Sequence, residues 1–324
     1  MLPDLMPAEL CGMVRERYSE IEILTMNTHT GHLLVGSTSP TPRASQLAEL
    51  LYQQPEKQVE PPRVAWDATG SQMRNTSRGP GLRGMVGDSP AMQNTYALTH
   101  MVAPRHSTVL ITGESGTGKD LIAQAIHLIS PRQKSPLVTV NCAAIPEALL
   151  EAELFGYAKG AFTGALQSRI GRIHAAHGGT LFLDEIGDMP LSLQSKILRF
   201  LEQGEVQRLG SNDNLKVDVR VVAATNVELP SLLKKKLFRE DLYYRLAVFP
   251  IQLPPLRERA KDITSLAQAF AAKFCPGIPL SADAIAALYQ HDWPGNVREL
   301  RNVIERASIL VGAEQEITAR HILL

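Results

Sequence analysis

A chain of 324 residues can hold one large domain with a smaller companion, or two to three modest ones. Apolar residues at 44% and charged residues at 20% are ordinary for a globular protein with a real core. Thirty-three basic residues balance thirty-three acidic ones, which excludes bulk electrostatic capture of nucleic acid and leaves only a local patch open. Cys11, Cys142 and Cys275 are scattered, fit no metal spacing and are odd in number, as expected in a reducing compartment. "MLPDLMPAELCG" has neither the basic leader nor the apolar run of a signal peptide, and no apolar stretch is long enough to span a bilayer. The expectation is a soluble cytoplasmic protein with no membrane partner.

Three compositional regions follow in chain order. Residues 1–54 hold a short amphipathic segment at Leu10, Met13 and Val14, then "EIEILTMNTHTGHLLVG", which reads as a hairpin turning around Asn27 to Gly31. "ASQLAELLYQQ" reads as a short helix, and no role is legible for this region. Residues 55–83, with Pro61, Pro62, Gly70, Gly79, Pro80 and Gly81, read as a linker. From Gly84 the short apolar runs "STVLIT", "LVTVN", "TLFLD" and "VRVVAAT" alternate with helix-like segments. That alternation predicts an α/β domain over residues 84–259, its parallel sheet covered on both faces. Residues 260–324 read as helices only, a smaller all-α domain.

"STVLITGESGTGKDLIAQAIH" is a strand, a glycine-rich turn and a helix in the order a P-loop requires. Gly113, Gly116 and Gly118 let the backbone N–H groups between Glu114, Ser115 and Thr117 curl toward a phosphate. The helix that begins near Lys119 adds its positive end, and the Lys119 ammonium reaches for β- and γ-phosphates. Asp120 stands where a Mg²⁺-holding hydroxyl is usual, followed by Leu121. "GGTLFLDEIGDMP" ends an apolar strand in Asp184 and Glu185, at the strand edge where parallel sheets bind ligands. Asp184 suits Mg²⁺ and its waters, and Glu185 suits orientation or deprotonation of an attacking water. "VRVVAATN" ends in Thr225 and Asn226, able to touch a γ-phosphate or simply to cap a turn. Arg239 and Arg245 in "FREDLYYRL" do not share one helical stripe, so they are solvated charges or contacts to two different groups. Lys234, Lys235 and Lys236 suggest nucleic acid less than a solvated helix end. "WPGNVRELRNVIERA" starts a helix that carries Arg298 in its first turns.

These motifs together resemble the AAA+ central domain of the sigma-54-dependent transcriptional activators, the bacterial enhancer-binding proteins. The resemblance runs from about Gly84 to Leu324 through "VLITGESGTGKDLI", "NCAAIPEALLEAELFGYAKGAFTGA", "HGGTLFLDEIGDMPLSLQSKILRFLEQGEVQRLGS", "VDVRVVAATN", "FREDLYYRLAVFPIQLPPLRER" and "WPGNVRELRNVIERA". It implies an AAA+ P-loop NTPase with a helical lid, using ATP and Mg²⁺ to remodel sigma-54 RNA polymerase holoenzyme from closed to open complex. By resemblance, Asp120 is a family trait, Asn141 holds the catalytic glutamate, Thr225 and Asn226 are sensor I, and Arg298 is sensor II. Arg239 and Arg245 match arginines that reach a neighbouring subunit's nucleotide, which implies a homo-oligomeric ring, typically a hexamer. Val86 and Gly87 match contacts beside the adenine. Gly160, Ala161, Phe162, Thr163, Gly164 and Ala165 match the loop that engages sigma-54, with glycine hinges and a tip at Phe162 and Thr163.

Tyr157 and Ala158 depart from the His and Glu usual before that loop, which bears on how it folds down between strokes. No C-terminal helix-turn-helix is expected in this chain, so promoter DNA would be engaged only indirectly. The alternative expectation is a nucleotide-dependent regulatory subunit of mixed activator rings that lacks its own DNA targeting. A motor acting directly on DNA is disfavoured by the 160–165 loop, which is not basic.

Overall fold

The structure is a computed structural model that describes residues 24–26, 33–35, 82, 84–162, 165–312 and 314–324. The chain divides into two units, Met1–Arg74 and Asn75–Leu324. In the first, β1 (Leu24–Met26) pairs antiparallel with β2 (Leu33–Val35), Thr25 lying opposite Leu34. This is the hairpin expected there. Its turn, the Leu10–Val14 segment, the expected helix at "ASQLAELLYQQ" and most of residues 55–83 lie outside the described residues.

The first described residue of the second unit, Leu82, is buried in the core. Helix α1 (Pro90–Val102) follows, its start fixed by Pro90 in the first turn and by the Ser89 hydroxyl accepting from the Met92 N–H. Then come β3 (Val109–Thr112), α2 (Lys119–Leu128), β4 (Leu137–Asn141), α3 (Glu147–Phe155), β5 (Gly156–Tyr157), β6 (Arg169–Ile170) and α4 (Arg172–Ala175). Next are β7 (Thr180–Asp184), α5 (Leu191–Gln203), β8 (Glu205–Gln207), β9 (Asn214–Lys216) and β10 (Arg220–Thr225). The α/β part closes with α6 (Leu229–Lys234), α7 (Glu240–Leu246) and β11 (Phe249–Gln252). Helices α8 (Lys261–Phe274), α9 (Ala282–Tyr289) and α10 (Asn296–Leu310) complete the chain.

Five strands form one parallel sheet in the order β11-β3-β10-β7-β4. Because successive side chains in a strand point to opposite faces, the central strands β3, β7 and β10 feed two cores. Leu181 and Leu183 of β7 join Val140, Val221 and Ala223 in a cluster with Leu150 and Leu154 of α3 and Ile197 of α5. Phe182 joins Val109, Ile111, Val222, Ala224 and Ile251 in another, with Met92 of α1 and Ile122 and Ile126 of α2. Burial on both sides is why these strands read as unbroken apolar runs. The fifth strand, β11, carries no such run and was not among the strands expected. It contains Pro250, which cannot donate to a ladder, and it sits at the sheet edge, paired only with β3. The hairpins β5–β6 and β8–β9 are too short for a periodic signal. The all-helical reading of residues 260–324 describes α8 to α10; one isolated bridge, Leu280 to Ile317, joins them. Their core surrounds Trp293, fully buried, whose indole N–H donates to the Leu288 carbonyl at 2.9 Å. Among the described residues no helix is long and apolar enough to cross a membrane.

Leu183 is fully buried in the middle of this sheet. Leu183→Ala is expected to lower the unfolding free energy by about 2–5 kcal/mol, read as a fall in urea midpoint. A loss under about 1 kcal/mol would show that this face can collapse around the missing side chain.

Candidate nucleotide site and partner loop

The site lies where β3, β7 and β10 end side by side. After β3 the loop of residues 113–118 turns with Gly116 at φ 78° and Gly118 at φ 102°, left-handed values that favour glycine. The Thr117 hydroxyl donates to the Glu114 carbonyl at 2.8 Å, and Arg259 donates to the Thr117 carbonyl at 3.0 Å, so the loop is braced from both sides. Gly118 caps α2 without a side-chain bond, which leaves the first-turn N–H groups suited to an anion. Lys119 is buried, and its Nζ donates to the carbonyls of Gly113 at 2.9 Å and Glu114 at 3.2 Å. Asp120 is exposed in the first turn of α2, and Leu121 beside it is also exposed.

At the end of β7, Asp184 and Glu185 part company. Glu185 has φ 50° and ψ 51°, a left-handed backbone that costs a non-glycine residue about 1–3 kcal/mol. The reversal sends its carboxylate across the sheet edge. There Oε1 lies 3.8 Å from Lys119 Nζ, and Oε2 accepts the Asn226 backbone N–H at 3.0 Å. Asp184 stays in line with β7, and its Oδ1 accepts the Glu185 N–H at 3.1 Å. Burial pushes the Asp184 carboxyl above the usual carboxylate range; the Glu185 N–H, Lys119 and Asn141 oppose that shift. Thr225 is fully buried, its hydroxyl accepting the Val227 N–H at 3.1 Å, while Asn226 is exposed.

Asn141 meets the other carboxylate of the pair in this structure. Resemblance gives Asn141 the task of holding Glu185, but here its Nδ2 donates to Asp184 Oδ2 at 3.1 Å. The cause is register: β4 and β7 pair with Asn141 directly opposite Asp184, and the reversal at Glu185 carries that side chain the other way. Asn141 Oδ1 accepts the N–H groups of Ala143 and Ala144, both at 3.0 Å, in the turn that leads into α3.

From the helical part, Arg298 Nη1 donates to Ser115 Oγ at 2.8 Å. The segment containing Val86 and Gly87 is pinned from the same part. Asp262, in the first turn of α8, accepts the backbone N–H groups of Asp88 and Ser89 at 2.8 Å each and the Ser89 hydroxyl at 2.7 Å. Val86 itself is exposed. Arg257, Arg259 and Asn296 lie inside quoted motifs without having been assigned a role there, and Asp262 lies outside them; their contacts join segments far apart in sequence. Arg239 and Arg245 bond elsewhere than the 113–118 loop. Arg239 is the N-cap of α7 and chelates Asp241 at 3.0 and 2.7 Å, and Arg245 donates twice to the Leu201 carbonyl at 3.2 and 2.8 Å. Lys234, Lys235 and Lys236 are exposed at the C-terminal end of α6, where helix polarity favours cations.

The 160–165 loop joins β5 to β6. Gly160, at φ 84°, donates its N–H to the Ala165 carbonyl at 2.9 Å, and the Ala165 N–H donates to the Phe162 carbonyl at 3.0 Å. Phe162 is 47% exposed, with its ring set edge-on to Tyr157 at 5.0 Å. Thr163 and Gly164 lie outside the described residues. The loop base is strapped to the β8–β9 hairpin: Ala158 N–H donates to the Leu209 carbonyl at 2.9 Å, and Leu209 N–H to the Gly156 carbonyl at 3.0 Å. Tyr157 and Ala158, the two departures noted in the sequence, therefore sit under the tip and on the strap.

Residues 85–252 match the family described as "Sigma-54 interaction domain", and residues 257–323 match the "AAA+ ATPase lid domain". The DNA-binding transcriptional activator HyfR of Escherichia coli (strain K12) is 53% identical over 235 residues, 71% of this chain and 35% of that protein. The Nif-specific regulatory protein of Klebsiella oxytoca is 48% identical over 274 residues, 83% of this chain and 52% of that protein. The chain thus spans about a third to a half of the length of these relatives. Among solved structures, NtrX from Brucella abortus in complex with ADP aligns with TM-score 0.68 and 41% identity, over 74% of this chain and 55% of that one. NtrX in complex with ATP aligns with TM-score 0.68 and 42% identity, over 74% and 54%. The fold is the AAA+ one, a parallel sheet flanked by helices and followed by a helical lid. Since the first family match alone takes in half of the chain, this protein belongs to the sigma-54 interaction domain family, the AAA+ domain of sigma-54-dependent transcriptional activators.

Proposed function

We propose that this chain binds ATP with Mg²⁺, hydrolyses it in a homo-oligomeric, hexameric ring, and uses the 160–165 loop to drive sigma-54 RNA polymerase from closed to open complex. The observation that carries this reading is Glu185, held between Lys119 of the glycine loop and the backbone of Asn226. That arrangement gathers a phosphate-reaching cation and a strand-end amide around one carboxylate suited to water, through an ion pair at 3.8 Å and a hydrogen bond at 3.0 Å. Family membership and the ATP- and ADP-bound relatives support the nucleotide assignment.

The residues present fit a magnesium nucleotide. Mg²⁺ prefers one or two carboxylates together with substrate phosphates and water, and Asp184 is a half-buried carboxylate already oriented by Asn141 and the Glu185 N–H. The ion would be held by Asp184 and would neutralise charge on the β- and γ-oxygens. The loop N–H groups from Glu114 to Lys119 and the positive end of α2 bind the phosphates. Lys119 exchanges its two loop carbonyls for phosphate oxygens. Glu185 orients the attacking water and takes its proton, and Asn226 reads whether the γ-phosphate is present. Val86 and Gly87 flank the adenine, and Arg298 closes the lid on the phosphates. Arg239 and Arg245, whose guanidinium groups bond Asp241 and the Leu201 carbonyl within their own subunit, serve a neighbour's nucleotide.

Lys119 and Glu185 are expected to fail differently. Lys119→Ala should weaken ATP binding and turnover together, whereas Glu185→Gln should keep binding and stop turnover, as calorimetry and a phosphate-release assay would resolve. Equal losses of affinity in both would contradict the assigned roles. If the arginines act across subunits, specific ATPase activity should rise with protein concentration. A mixture of Arg245→Ala with Lys119→Ala should then recover part of the turnover lost in either alone, since a trans arginine contributes on the order of 10³–10⁵ in related phosphoryl transfers. Activity independent of concentration, with no recovery on mixing, would rule out a shared site. For the loop, Phe162→Ala should hydrolyse ATP nearly as wild type yet form no open complex on a sigma-54 promoter, because a desolvated aromatic anchor commonly carries about 2 kcal/mol or more. Proportional loss of hydrolysis and open-complex formation would make Phe162 a packing residue instead.

A further inference from the structure

Glu114 stands inside the glycine loop, yet its carboxylate is occupied by the lid side of the molecule. Oε2 accepts from Arg257 Nη1 at 2.9 Å and from Asn296 Nδ2 at 3.0 Å, and Oε1 accepts from Arg257 Nη2 at 2.5 Å. The Arg257 fork, and after it the Asn296 amide, hold the Glu114 carboxyl well down, at about 2. Asn296 is fully buried with φ 52°, an uncommon backbone for a non-glycine residue but one asparagine tolerates. Its Nδ2 also donates to the Ser115 carbonyl at 3.1 Å, and its Oδ1 accepts the Leu256 N–H at 2.7 Å. The next two amides, of Val297 and Arg298, both donate to the Gly116 carbonyl, at 3.0 and 3.3 Å. The fit is close: a Cβ on Gly116 would lie 2.4 Å from the Gly295 carbonyl oxygen. The first turn of α10 therefore gives two of its N–H groups to the glycine loop itself, and Arg298 leaves that turn already aimed at Ser115.

We propose that Glu114, Arg257 and Asn296 form a clasp that fixes the lid over the nucleotide loop, making Glu114 a positioning residue for Arg298 and not a phosphate ligand. The inference rests on the reading that residues 113–119 bind nucleotide. A carboxylate aimed at phosphates would repel them; turned to the lid, it joins three segments from distant parts of the chain. An exposed Arg–Glu pair by itself contributes little, and both side chains here are near 45% exposed. The buried Asn296 makes the difference, because the two shorter bonds of its Nδ2, at 3.0 and 3.1 Å, go to Glu114 and the Ser115 carbonyl, leaving only a 3.5 Å contact to the Pro294 carbonyl if they are lost.

The test uses the whole chain and a fluorescent ATP analogue, with Glu114→Gln, Arg257→Met, the double variant and Arg257→Lys. Each of the first two is expected to raise Kd for the analogue and KM for ATP about three- to tenfold, with a smaller fall in kcat. The double variant should bind no more weakly than the worse single one, and Arg257→Lys, which keeps charge but loses the fork, should fall between. In nucleotide-free protein, the Val297 and Arg298 amides should exchange hydrogen faster in Glu114→Gln than in wild type, with the thermal midpoint unchanged. Additive effects, unaltered affinity, or loss of affinity that tracks a falling thermal midpoint with unaltered exchange would overturn the clasp. Failure of wild type to bind the analogue would instead sink the nucleotide reading, and the exchange measurement on nucleotide-free protein would still decide the clasp.

Discussion

Parallel, in-register pairing of β3, β10 and β7 is the constraint on which the rest depends. Because these strands run the same way and align Thr112 with Thr225 and Leu183 with Ala223, their C-terminal ends emerge at one edge. Each end then carries a different chemical group: a glycine loop with Lys119, the pair Asp184 and Glu185, and Asn226. The three central strands are buried on both faces, so a one-residue slip of any of them would move its apolar side chains into the wrong core. The same packing that holds the fold therefore holds the site to its geometry.

The polar network at that edge is tied to the 160–165 loop through covalent continuity and side-chain bonds. Asn141 binds Asp184 on one side and the turn at Ala143 and Ala144 on the other, and α3 begins shortly after that turn. Helix α3 ends at Gly156, where the strand leading to the 160–165 loop starts. Along its length α3 is fastened to α5 by Ser192 donating to Glu147 at 2.5 Å and by the Lys196–Glu151 ion pair. A change in the charge seen by Asp184 thus has a short, packed route to Phe162. Glu185 stores backbone strain at the head of that route, the kind of conformation that persists only where its surroundings hold it.

Legibility in the sequence followed contact range. Strands β3, β7 and β10 were plain because double burial writes continuous apolar runs, β4 because its β-branched residues resemble them, and β11 was hidden by Pro250 at the tolerant edge. The glycine loop, Lys119 and the acidic strand end were plain because their chemistry is local in sequence. The partner of Asn141 was not, since it depends on the register between β4 and β7 and on the reversal at Glu185. The contacts of Arg257, Asn296 and Asp262 were invisible for the same reason: each joins segments more than a hundred residues apart. Tyr157 stood out as a departure before the loop, but its contact with the Phe162 ring is a feature of three dimensions only.

The central claim is that the state of the nucleotide at the strand edge governs what the 160–165 loop can engage. The most direct measurement is the affinity of the full chain for purified sigma-54 in three states: nucleotide-free, with ADP, and with the transition-state mimic ADP–aluminium fluoride. The account predicts stable association with the mimic and at least about tenfold weaker association in the other two states, a difference of roughly 1.4 kcal/mol or more. Equal affinity in all three states would mean that loop and nucleotide site are uncoupled, and would contradict the account.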